Sequence, residues 1–74
     1  MKVIIKGYGR GAYTISGMKL LCAIEGVSIK ESLGAVSGLA DGEWITLDFG
    51  EDEAESQRVY RQFEEWGFIV EHAE

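Results

Sequence analysis

The chain contains no proline, one cysteine and one histidine. Without proline no φ angle is locked, so glycines, capping side chains and burial must set every element boundary. The single thiol, Cys22, excludes an internal disulfide and suits a reducing compartment. Cys22 and His72 alone cannot build a transition-metal site. No apolar stretch approaches the ~18 residues that a membrane span needs. The run "VII" near the start is too short for a signal peptide. Cations are scarce too: seven Lys and Arg stand against thirteen Asp and Glu, a formal net charge of −6. A bulk nucleic-acid binder is usually basic, because it displaces counterions from phosphates. The absences describe a cytoplasmic protein with no membrane segment, whose partner is another protein rather than nucleic acid.

What is present suffices for one small core. The 74 residues, 46% of them hydrophobic, are read as a single domain, 1–74. Charge is unevenly divided. Residues 1–38 carry five cations against two acids, and residues 39–74 carry two cations against eleven acids. An acidic half can attract a basic protein surface.

Residues 2–6 alternate, with Val3 and Ile5 on one side and Lys2, Ile4 and Lys6 on the other, as in a half-buried strand. Thr14 or Ser16 can cap a helix through Met18, Leu21, Cys22 and Glu25 that stops at Gly26. Ser28 and Glu31 have capping-box spacing for a second helix, with Ile29, Leu33 and Val36 as its apolar stripe. Gly34, Gly38 and Gly42 weaken or stop that helix. "EWITLDF", 43–49, alternates again: Ile45, Leu47 and Phe49 oppose Trp44, Thr46 and Asp48. The acids at 51–55 suit a helix N-terminus. Val59, Phe63 and Trp66 form a core stripe, Arg61 and Glu65 an i, i+4 pair, and "FIVEH" a last strand. The fold class is α+β, in the order β-α-α-β-α-β, with helices on one face of a three-stranded sheet.

The glycine-rich stretch "GYGRGAYTIS", 7–16, raises the question of a ligand. Gly7, Gly9 and Ala12 fit G-x-G-x-x-A, the outline of a dinucleotide-binding turn. Such a turn works inside a βαβ unit of a larger parallel sheet. Here two helices follow the first strand and three strands complete the sheet. Residues 7–13 are therefore expected to be a mobile connection that holds no cofactor. "GYGRG" is also similar to one copy of an arginine–glycine RNA-binding tract. The acids of "EDEAE" lack the spacing of a calcium loop, and the adjacent Glu64 and Glu65 point about 100° apart on a helix. Cys22 has no basic partner nearby and is expected to be a small buried side chain. No catalytic constellation emerges, and the chain is read as a non-enzyme. Trp44 falls on the open side of the sheet, where it is either a binding anchor or covered by the C-terminus or a dimer mate.

Three stretches resemble the C-terminal domain of the bacterial ribosomal stalk protein. They are "VIIK" (3–6), "MKLLCAIEGVSIKES" (18–32) and "FEEWGFIVE" (63–71). The adaptor subunit of the Clp protease shares that fold, and the longer middle strand is more similar to the adaptor's. In the stalk family the first two helices bind translational GTPases through basic and small apolar residues. Lys19, Gly26 and Lys30 match that set. Cys22 stands where the family has arginine, and Thr14 where it has lysine. The adaptor's Asn-Asp-Asp-Tyr-Thr loop would fall at "RGAYT", 10–14, and its helical histidine has no counterpart.

The expected function is a small module that docks on or regulates a larger protein machine. Arg10, Lys19 and Lys30 on the first helix pair, and Trp44 on the sheet, are its candidate partner-binding residues. The alternative is an acidic accessory or phage-type inhibitor that mimics nucleic acid through the run from Asp41 to Glu55 with Glu64, Glu65 and Glu71.

Overall fold

The structure, a computed structural model, describes residues 1–73. Its elements are β1 (Lys2–Tyr8), α1 (Thr14–Glu25), α2 (Ile29–Leu39), β2 (Ile45–Asp48), α3 (Glu53–Glu65) and β3 (Phe68–Ala73). β1 is the middle strand, antiparallel to β2 on one side and β3 on the other. The expected α+β order and sheet are those observed. Among the described residues no helix is long and apolar enough to cross a membrane.

Alternation decides the two faces of the sheet. Val3 lies opposite Leu47 and Ile5 opposite Ile45, and these side chains point towards the helices. Val3, Ile5, Leu47, Val59 and Phe63 are fully buried, and Leu21, Val36, Leu39 and Phe68 nearly so. Trp66 and Ile45, both expected in the core, are half-buried and line its margin.

β1 is longer than the expected 2–6. Ile5 faces Val70 but Gly7 faces Ile69, so Lys6 is an extra residue in a β-bulge. The slip reverses the alternation. Tyr8 thereby joins the face of Val3 and Ile5, and its ring meets Phe68 edge-on at 6.0 Å. The Tyr8 ring is half-buried there, packed against the core.

Two helix expectations are corrected. α1 starts at Thr14, with Tyr13 at the N-cap position and no side-chain cap. The Tyr13 N–H is instead donated to the Trp66 carbonyl at 2.9 Å, so a tertiary bond fixes the start. In α2 the buried stripe is Ser32, Val36 and Leu39, and Ile29 and Leu33 face solvent. Ser28 caps that helix through its hydroxyl, which accepts from the Glu31 N–H at 3.1 Å. The Ser32 hydroxyl can be buried because it reaches the Ile29 carbonyl at 3.1 Å and Cys22 Sγ at 2.9 Å. α2 also runs through Gly34 and Gly38 before it ends.

α3 holds the centre. Phe63 packs edge-on against Phe68 with ring centroids 5.2 Å apart, and against Trp66 at 6.0 Å. α1 closes on this cluster at Gly17, where an added Cβ would sit 2.5 Å from Phe68 Cζ and 3.3 Å from Phe63 Cε1. Replacing Phe63 with Ala should cost ~3–5 kcal/mol, the range for a large core aromatic. Gly17→Ala should destabilise by ~1–3 kcal/mol despite its better helix propensity, because the buried Phe68 ring must shift to admit the methyl. Gly34→Ala, in open space on α2, should instead stabilise by ~0.5–1 kcal/mol. Denaturant unfolding of the three variants measures all of this. A stable Gly17→Ala would refute the close approach.

Candidate functional site

Of residues 7–13, expected to be mobile, Gly7 and Tyr8 pair with β3 inside β1, and 9–13 are tethered at two points. The Gly9 N–H donates to the Gly67 carbonyl at 3.0 Å, and Tyr13 N–H to that of Trp66. Gly67 makes this contact possible. Its φ is +90°, and a Cβ there would lie 3.2 Å from Ala12 Cα. Ala12 N–H turns back to the Gly9 carbonyl at 3.2 Å, and Thr14 N–H to that of Ala12 at 3.0 Å. A phosphate cradle needs such donors free and convergent. Here those of Gly9, Ala12, Tyr13 and Thr14 are engaged within the chain.

The α1–α2 pair presents a different surface. Gly26 adopts the left-handed conformation at φ +66° and returns its N–H to the Cys22 carbonyl, which turns the chain into α2. Cys22 is half-buried, where full burial was expected, and shares its contact with Ser32. The outer positions of the pair are apolar and basic together. Ile29 is 64% exposed and Leu33, one turn on, 54%. Lys30 is exposed beside them, and Ile15 and Lys19, four apart, are exposed on α1. Arg10 is exposed in the turn before α1. Among the described residues no acid pairs with Arg10, Lys19 or Lys30. Between this pair and β2 lies a groove of about 250 Å³, with Leu21, Val27, Ala35 and Ile45 as apolar walls and Glu25 and Glu31 as its carboxylates.

The helix-free face of the sheet is the second surface. Trp44 is 60% exposed there, as expected, one residue before β2 begins. Lys6 Nζ lies 4.6 Å from the centre of the Trp44 ring and also pairs with the Glu71 carboxylate. The bulge residue thus links the two outer edges of the sheet. Ile69, 57% exposed, lies beside Gly7 on the same face.

The acidic run has local work in the fold. The Asp52 carboxylate accepts from the Glu55 N–H at 3.1 Å and caps α3, and Asp48 accepts from the Gly50 N–H at 2.9 Å. The hydrogen bond from Arg58 holds the Glu55 carboxyl below its usual range. Arg58 with Glu55, rather than the expected Arg61 with Glu65, is the ion pair of this helix. His72 is exposed and stacks on Tyr60 at 4.2 Å. Among the described residues no three His, Cys, Asp or Glu side chains are grouped to hold a metal ion.

Ile29, Leu33, Ile69 and the Lys6–Trp44 contact escaped the sequence reading. Ile29 and Leu33 have core spacing, and only the burial of Ser32 reveals the rotation of α2. Millimolar mono- and dinucleotides should leave the amide resonances of Gly7 to Gly11 unmoved in a heteronuclear titration. Saturable shifts confined to those residues would restore the nucleotide reading.

Compared with protein families, curated proteins and solved structures, the chain matches none.

Proposed function

We propose that this chain is a small non-enzymatic interaction module of the cytoplasm that docks on, and regulates, a larger protein through its α1–α2 face. The observation that carries the reading is the juxtaposition on that face. Large apolar side chains stand in solvent, Ile15 four residues from Lys19 on α1 and Ile29 and Leu33 flanking Lys30 on α2, and among the described residues neither lysine forms an ion pair. Apolar anchors supply binding energy when a partner desolvates them, and cations around them favour a partner with an acidic surface. The stalk-like resemblance, with its matches at Lys19, Gly26 and Lys30, supports the same location. Arg10 extends the basic region towards the loop.

The acidic-mimic alternative draws less support. Asp48, Asp52 and Glu55 are taken up by turns, a cap and an ion pair. That gives three of the seven acids from Asp41 to Glu55 a local role in the fold.

Binding kinetics against a protein recovered by pull-down test the proposal. Lys19→Glu should slow association by up to about tenfold and leave dissociation little changed, since rim charges act mainly on the on-rate. Leu33→Ala should speed dissociation. Added salt should weaken the complex. If both variants bind as wild type while neutralising Glu51 and Glu53 abolishes binding, the acidic-mimic reading replaces this one.

A further inference from the structure

We infer that the groove between α1, α2 and β2 takes an arginine side chain from an exposed segment of a partner protein. The helix pair carries two lysines and two glutamates, but it sorts them. At about 100° per residue, Glu31 and Ala35 lie on one flank of the buried stripe of α2, and Ile29 and Leu33 lie on the other. On α1, Glu25 lies one turn beyond the buried Leu21, on the groove side. Ile15 and Lys19 lie about 120° and 160° round the helix from Leu21, turned away from it. The lysines thus face outward, and the two glutamates are the charged lining of the groove.

The walls between those carboxylates are apolar: Leu21, Val27, Ala35 and Ile45. Glu25 and Glu31 are exposed at the rim and pair with no cation among the described residues. A complementary occupant brings an apolar stem and a positive head, the combination that arginine and lysine side chains carry. Arginine suits the groove better. Its guanidinium is more weakly hydrated than an ammonium, and its fork of donors can serve two carboxylates at once. Glu25 adds a further attraction. It ends α1, where the helix dipole disfavours an anion and no basic residue stands in the last turn, so a guanidinium docked there offsets that repulsion. At about 250 Å³ the groove is smaller than the ~300–1,000 Å³ of a small-molecule site, and its size suits one long side chain. Two carboxylates also fall short of the about six to eight oxygens that calcium takes.

A blocked peptide, Gly-Ala-Arg-Ala-Gly, titrated into the whole chain to about 10 mM covers the affinity of a single side chain. The methyl resonances of Leu21, Val27 and Ile45 should shift saturably, with a dissociation constant of about 1 mM. Citrulline in place of arginine keeps the stem and removes the charge, and should weaken binding about tenfold. Glu25→Gln and Glu31→Gln should each weaken it by up to about fivefold, the range for an exposed ion pair, and the double variant by more. Both positions are exposed, and circular dichroism checks that the variants fold. Added salt should weaken the arginine peptide and leave the citrulline peptide unmoved. Lys19→Glu, on the outward side, should bind the peptide as wild type. Groove methyls that stay unmoved at about 10 mM, a citrulline peptide that binds as tightly, or a double variant that binds as wild type overturns the inference. Shifts produced by spermidine but not by the peptide overturn it too, and assign the groove to a small polyamine. None of these results touches the docking role of the outward face of α1 and α2.

Discussion

The approach of Phe68 to the bare Cα of Gly17 is the contact on which the other packing depends. Phe68 opens β3, Phe63 lies in the last turn of α3, and Gly17 faces them from α1. The edge-to-face ring pair joins strand to helix, and α1 settles onto the pair only because position 17 has no side chain. Aromatic pairs of this kind contribute ~0.5–1.5 kcal/mol beyond their buried area. The greater consequence is geometric. Once α1 is seated here, its start must meet the α3–β3 turn, which is where Tyr13 and Gly9 find their backbone acceptors. The glycine-rich loop is therefore shaped by the core beneath it. The close approach falls at Gly67, where a Cβ would lie 3.2 Å from Ala12 Cα, whereas one at Gly9 would meet the Gly67 carbonyl at an ordinary 3.8 Å.

The same core explains the other surface. Tyr8 packs on Phe68, which it reaches only if β1 gains a residue after Ile5. Lys6 is that residue. Displaced onto the open face, it stands between the two edges and meets both Trp44 and Glu71. One inserted residue thus satisfies the core on one side and organises the exposed face on the other. Removing the bulge would turn Tyr8 out and uncouple both.

Sequence reasoning succeeded where a strong period met an unambiguous breaker. Val3 and Ile5, Ile45 and Leu47, and Val59 and Phe63 fell on their observed faces, and Gly26 and Ser28 marked the turn between the first helices. It failed where tertiary contacts outvote local pattern. Apolar spacing favoured Ile29 and Leu33 as core, yet Ser32 lies inside because its hydroxyl is satisfied locally. Thr14 was a plausible cap, yet a carbonyl from a distant turn fixes the start of α1. A bulge leaves no mark in a single sequence beyond an apolar residue out of phase, so Tyr8 was assigned to a loop. The Trp44 surface was visible from alternation alone, but its Lys6 contact needed the slip in register.

Charge shows which residues the fold does not need. Asp52 and Glu55 sit at the start of α3, where the helix dipole and the cap favour them. Glu64 and Glu65 sit at its other end, where the dipole disfavours anions by ~0.3–1 kcal/mol each, and no cation occupies that last turn. Lys19 and Lys30 are likewise exposed, and among the described residues they form no ion pair. These side chains add nothing to packing, and the two glutamates work against the helix that carries them. What they do contribute is a local field: negative around the end of α3, and balanced on α1 and α2, where Lys19 and Lys30 stand with Glu25 and Glu31. The acidic end of α3 and the charge-balanced surfaces lie within a body measuring only 29 × 24 × 19 Å. At that size the surfaces lie about two to three Debye lengths apart at physiological salt, so the charges of one are largely screened from a molecule that meets another, and each surface acts through its own local charges.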